Sequence, residues 1–128
     1  MVKLADTEKV TVNLNVVDLG KIDLLVEQGF FSNRTDFIKS AIRNQLSEHA
    51  EEVNKLTTDK VLGALYYSRK DLEEVVAKGK VLDIKVIGML AFADDVDEDL
   101  VRKSIRSLKV LGVLRASKEV RKALDRIK

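Results

Sequence analysis

Lys9-Val10-Thr11-Val12-Asn13-Leu14-Asn15-Val16 alternates residue by residue between polar and apolar side chains. A period of two belongs to a strand with one apolar face, here Val10, Val12, Leu14 and Val16, and one polar face. The spacing then turns helical. Leu19, Ile22, Leu25 and Val26 fall on one side of a helix, with Asp18 placed as its N-cap and Gly29 as its terminator. A second helix is expected from Ser32 or Asn33, either of which serves as cap. It carries Phe37, Ile38, Ala41, Ile42 and Leu46 at helical spacing and extends through Val53 and Leu56. A lone strand cannot satisfy its own backbone. Two partners answer that need equally. One is the same strand of a second copy, antiparallel about a two-fold axis. The other is a strand from residues 60–93 of the same chain.

The strand Lys9 to Leu14, the helix after it, and then Phe30-Phe31-Ser32-Asn33-Arg34-Thr35-Asp36-Phe37-Ile38-Lys39-Ser40-Ala41-Ile42-Arg43 together resemble the ribbon-helix-helix family of DNA-binding proteins, in its CopG-like branch. The resemblance covers roughly residues 9–48. Asn33 stands where the family usually has Ser, an exchange that keeps a capping side chain. The resemblance implies a homodimer whose two strands, one per chain, form a ribbon in the major groove of double-stranded DNA. The positions that match its base-contacting residues are Lys9, Thr11 and Asn13. Their chemistry suits that role: Asn bonds adenine in a bidentate way, Lys donates to guanine, and Thr bonds a base edge or touches a thymine methyl. The turn that clamps phosphate in the family matches Ser32, Asn33, Arg34 and Thr35. A helix start offers free N–H groups and a positive dipole end to an anion, and such contacts fix position without choosing sequence.

Charge supports few phosphate contacts per dimer. Residues 1–50 carry six basic and seven acidic side chains, and residues 51–128 carry seventeen and fourteen. Neither half is a broad basic surface, so dimers side by side on tandem operators are expected to help.

Residues 57–128 alternate expected strands and helices. A strand over Lys60–Tyr67 leads to a capping box at Ser68–Asp71 and a short helix closed by Gly79. A long strand over Val81–Ala93 follows, with Gly88 marking a bulge or a close approach. The acidic run Asp94, Asp95, Asp97, Glu98 and Asp99 is read as a helix start rather than a cation site, because the calcium-loop pattern is missing. The helix after it carries Leu100, Val101, Ser104, Ile105 and Leu108 on one face. A strand over Val110–Arg115 and a final helix capped by Ser117, with Lys118, Lys122 and Arg126 along one side, complete the chain. No internal repeat is evident. His49 is read as a surface or interface residue late in the second helix.

The 128 residues contain no cysteine and one histidine, which excludes disulfides, thiolate chemistry and multi-histidine metal sites within one chain. Some ribbon-helix-helix regulators, nickel-responsive ones among them, carry an α/β effector domain of this size; their His- and Cys-based site has no counterpart here. No phosphate-binding loop, nucleophile elbow or dinucleotide fingerprint is present, so no enzyme, cofactor or metal is expected. The longest apolar run, Val86 to Ala93, has eight residues, too few for a membrane span, and the polar start Met1–Glu8 lacks a signal peptide; a cytoplasmic protein is expected.

The expectation is therefore an α+β chain. Residues 1–56 form a ribbon-helix-helix dimerisation and DNA-binding domain, and residues 57–128 form a small α/β domain with an oligomerisation or effector role. The function expected is a homodimeric, sequence-specific transcriptional regulator, for instance a repressor. The alternative is an antitoxin or other interaction module whose C-terminal half binds a partner protein.

Overall fold

The computed structural model describes residues 6–127. Residues 1–5, part of the stretch on which the signal-peptide expectation rests, lie outside the described residues, as does Lys128. The chain divides into two compact units, one ending at Lys55 and the other beginning at Leu56.

The first unit is helical. Residues 7–15 are exposed and take no part in a helix or a sheet within the chain. Helix α1 (Val16–Glu27) starts one turn earlier than expected. Its cap is Asn15 rather than Asp18: the Asn15 side-chain oxygen accepts from the Val17 N–H at 2.8 Å and the Asp18 N–H at 3.4 Å. Val16, expected to end the strand, is the first helical residue. Gly29, at φ +86, follows the helix, and the Phe30 N–H turns back to the Leu25 carbonyl. Helix α2 (Arg34–Glu48) stops at His49 instead of running through to Leu56, and a separate helix α3 (Ala50–Leu56) takes over. At the break the His49 Nδ1 lies 3.0 Å from the Gln45 carbonyl oxygen, where the ring competes for the helix ladder. Phe31 and Phe37 meet edge to face at 5.0 Å. Of the described apolar side chains of this unit, Ile22 alone is buried.

The second unit is a parallel three-stranded sheet with helices on one side. Strands β1 (Val61–Tyr67), β2 (Leu82–Phe92) and β3 (Ile105–Arg115) lie in the order β1-β2-β3, and helices α4 (Arg69–Ala77), α5 (Glu98–Ser104) and α6 (Lys118–Ile127) follow them in turn. No segment from residues 9–16 joins this sheet, so the same-chain partner considered for that stretch is not realised. Leu72, Leu100, Val101, Val120, Ala123 and Leu124 of the helices pack on Ile84, Val86, Leu90 and Phe92 of β2 and on Ile105 and Leu108 of β3. Burying a side chain such as Leu72, Leu90 or Leu124 in full stabilises by about 1.5–3 kcal/mol.

Each helix start is satisfied locally. Ser68 and Asp71 form the expected capping box. Asp97 caps α5 by accepting from the Leu100 N–H at 2.8 Å, and that bond together with the Arg69 guanidinium holds its carboxyl below the usual range. Glu98 pairs with Arg102, and Asp99 with Lys103. Asp97, Glu98 and Asp99 of the acidic run are thus spent on a cap and on ion pairs along α5. Ser117 accepts from the Val120 N–H at 3.2 Å at the head of α6.

Two expectations for this unit are corrected. The helix expected to include Ile105 and Leu108 ends at Ser104, whose buried Oγ donates to the Leu100 carbonyl at 2.6 Å. Ile105 begins β3 directly, and an irregularity in register, with Leu82 opposite Ile105 but Asp83 opposite Ser107, skips Arg106. That extra residue is why Ile105 and Leu108 keep a helical spacing of three while both face the core.

The second correction is an internal repeat. Lys60-Val-Leu-Gly-Ala-Leu65, Lys85-Val-Ile-Gly-Met-Leu90 and Lys109-Val-Leu-Gly-Val-Leu114 occupy the same positions in successive strands. Val61 lies opposite Val86 and Val86 opposite Val110; Gly63, Gly88 and Gly112 form one row across the sheet. The unit is a stack of three strand-helix repeats, an architecture in which each repeat buries its apolar side against its neighbours.

Candidate nucleic-acid interface

Lys9, Thr11 and Asn13 are all exposed on the segment before α1. The apolar residues that alternate with them are exposed as well: Val10 is 78% accessible, Val12 68%, Leu14 43% and Val16 80%. The polar set and the apolar set thus occupy one short stretch, and among the described residues the apolar set stays largely exposed. Leu24, Ile42 and Leu46 on the helices are also more than half exposed. The apolar group expected to form this unit's core, Leu19, Ile22, Leu25, Phe37, Ile38, Ala41 and Ile42, is buried in one chain only at Ile22.

The turn into α2 is built by two side chains, those of Asn33 and Asp36. Asn33, not Ser32, is the N-cap: its Oδ1 accepts from the Asp36 N–H at 2.8 Å. The Asp36 carboxylate in turn accepts from the Ser32 N–H at 2.9 Å. An acid three residues after the cap is the sequence sign of such a reciprocal lock. Ser32 and Thr35 are exposed beside it.

Arg34 is held from across the unit. Its Nε and one Nη each donate to a carboxylate oxygen of Asp23 on α1, both at 2.8 Å. The hydrogen bonds and the charge of the guanidinium lower the Asp23 carboxyl below the usual aspartate range, and the carboxylate raises the Arg34 guanidinium in return. Both side chains are about half exposed, at 56% and 47%. The fork uses two of the five guanidinium N–H bonds and leaves three for another acceptor. Asp23 is the residue that reading the sequence missed. It lies eleven positions from Arg34 and on a different helix, so no local spacing encodes the pair.

The structure brings Arg34 together with Asn33 at the start of α2 and leaves Lys9, Thr11 and Asn13 on a segment with no sheet partner. Among the described residues, no group of histidine and carboxylate side chains is arranged to hold a metal ion, and no helix is long and apolar enough to cross a membrane.

The sequence model of the ribbon-helix-helix transcriptional regulator family matches residues 5–121, a span that includes both units. The transcriptional regulator CdrS of Halobacterium salinarum is 32% identical over 54 residues, which cover 42% of this chain and 98% of that relative. No solved structure matches. An alternating segment followed by two capped helices, a family match across nearly the whole chain, and a curated relative of the same kind agree: this chain belongs to the ribbon-helix-helix family of DNA-binding transcriptional regulators, and not to a family of enzymes.

Proposed function

We propose that the chain works as a homodimer in which residues 9–15 of two copies pair antiparallel as a ribbon and enter the major groove of an operator. The observation that carries this reading is the exposure of Val10, Val12 and Leu14 on a segment without a partner. Pairing two such segments satisfies their backbones, and it turns both apolar sets toward the helices of the joined copies. Lys9, Thr11 and Asn13 of each copy then project together on the other side, with the donor and acceptor groups that read base edges. The α2 start, with its N–H groups and the remaining donors of Arg34, takes the flanking phosphate, assisted by Ser32, Asn33 and Thr35. Residues 57–128 serve to join dimers.

The experiment is a binding titration on the protein's own promoter and on random duplex. Asn13→Ala is expected to cost about 1–3 kcal/mol on the specific site and to relax base preference there. Helix content should be unchanged, because Asn13 is exposed. Unaltered discrimination between the two duplexes would remove Asn13 from the readout and the ribbon with it.

A further inference from the structure

We propose that the α/β units associate head to tail, the free edge of β3 in one copy pairing in parallel with the free edge of β1 in the next. The occupant of the β1 edge is thus a second copy of this chain. This goes beyond the DNA-binding reading and does not rest on it.

The argument begins with the repeat. The chain pairs one Lys-Val-Leu/Ile-Gly strand with the next twice over, β1 with β2 and β2 with β3, in the same parallel register. The outer edge of β3 carries the same Lys-Val-x-Gly-x-Leu pattern as the strands that make those pairings. A third such pairing, β3 to the next β1, needs no new geometry. Neither edge is blocked along the repeated segment by proline or a bulge. The chain has no proline, both edges are strands of seven residues or more rather than stubs, and the skipped Arg106 lies at the start of β3, before the repeated segment Lys109–Leu114.

The glycine row then gives the polarity. Gly88 and Gly112 have φ +135 and +123, and a Cβ on either would stand 2.1 or 2.0 Å from the carbonyl oxygen of the preceding glycine, Gly63 or Gly88. Gly63 has the same backbone, φ +127, yet its Cβ position faces open space within 4 Å. In β2 and β3 that space is filled by the carbonyl of the strand before. For β1 the strand before is the next copy's β3, which presents Gly112. A two-fold β1–β1 pairing would run antiparallel and would not repeat this arrangement.

The side of the sheet away from the helices agrees. Leu62, Ile87 and Leu111 form one row and Ala64, Met89 and Val113 the next. Ile87 and Met89, on the central strand, are the more covered; Leu62 is 63% and Leu111 47% accessible at the two edges. Joining the edges sets Leu111 of one copy beside Leu62 of the next and continues both rows. Parallel strands are stable where their apolar faces are covered in this way. The contact is heterologous, so it propagates until a ring closes or copies run out.

The absence of cysteine from the sequence makes the test clean. Across the proposed junction, positions 111 and 62 lie one strand spacing apart, about 4.8 Å, within disulfide reach. Within one chain β2 separates them, about 9.6 Å, and no bridge forms. Full-length Leu62→Cys and Leu111→Cys proteins, mixed and oxidised, should give a covalent dimer that neither gives alone. The double variant should give a ladder. No covalent dimer in the mixture overturns the proposal. So does cross-linking by either single variant alone, which means a two-fold edge. Self-cross-linking of Ile87→Cys also overturns it, because central-strand contact means sheets stacked face to face. Sedimentation of the unmutated chain at rising concentration should show species larger than a dimer, and a distribution that stops at the dimer counts against the junction.

Discussion

Arg34 is placed for two ends. Its fork to Asp23 joins α1 to α2, and in the proposed function its remaining donors take the flanking phosphate. Arg34→Ala should weaken binding to specific and random duplex alike and lower the salt slope by about one unit, as for the loss of one phosphate contact. Asp23→Ala separates the two roles. It frees the guanidinium and leaves the charge, so affinity should hold or rise in a salt-series titration. Equal losses in the two variants would make Arg34 a positioning residue alone. In the other unit, Asp83 accepts from Arg106 and from the Ser107 hydroxyl, and Asp59 from Lys85 and Lys60. These bonds lower both carboxyls to about 2, from the ordinary aspartate value of 3.8. The folded form therefore holds these carboxylates ionised where the unfolded chain has begun to take up protons. Their contribution is complete above the ordinary value and is lost as pH falls from about 4 through about 2. Urea midpoints measured down that range should fall less steeply for Asp83→Asn than for the unmutated chain. Parallel slopes would mean that the pair with Arg106 does not form.

At the scale of elements, the helix caps of the α/β unit were the most legible feature and the repeat the least, whereas the α1 cap is Asn15 and not the expected Asp18. Ser68–Asp71 and Ser117 are read directly from spacing because capping acts within a single turn. Asn33 is decided only by geometry, since Ser32 beside it has the same chemistry. The period-two stretch 9–15 was legible as a strand in need of a partner, and one chain does not supply that partner. Ile105 and Leu108 were misread because a skipped residue in β3 imitates helical spacing. The repeat escaped notice because only six residues of each strand-helix unit recur, and the helices between them differ in length, cap and charge. Its shared constraint is backbone, not side chain, and this sets a prediction. Gly88→Ala must place a Cβ against the Gly63 carbonyl in a conformation that L residues rarely adopt. The loss should be about 3 kcal/mol or more, since backbone strain of 1–3 kcal/mol is joined by displacement of the neighbouring strand. Chemical unfolding of the α/β unit measures it, and a loss below about 1 kcal/mol would mean that the row is not closely packed.

At the scale of the whole molecule, the two units differ in what they require to fold. The α/β unit buries a continuous core from three helices and two strands within one chain. Among its described residues, the helical unit buries only Ile22 and exposes Val10, Val12, Leu24, Ile42 and Leu46. So few buried groups do not offset the conformational entropy of about fifty residues. In the proposed homodimer the helical unit draws its stability from association, whereas the α/β unit need not. A fragment of residues 1–56 should gain helix content with rising concentration and sediment as a dimer, because its folding and its pairing are one equilibrium. It retains Lys9, Thr11 and Asn13, and so should keep the base preference of the full chain. It should bind a tandem operator more weakly, because it lacks the units proposed to join neighbouring dimers and raise their effective concentration. A fragment of residues 57–128 should fold with no such threshold, its edges adding mass without adding structure. Circular dichroism and sedimentation across a dilution series read both fragments. A 1–56 fragment that folds as a monomer at every concentration would sink the shared ribbon, for its apolar segment would then have found a cover in its own chain.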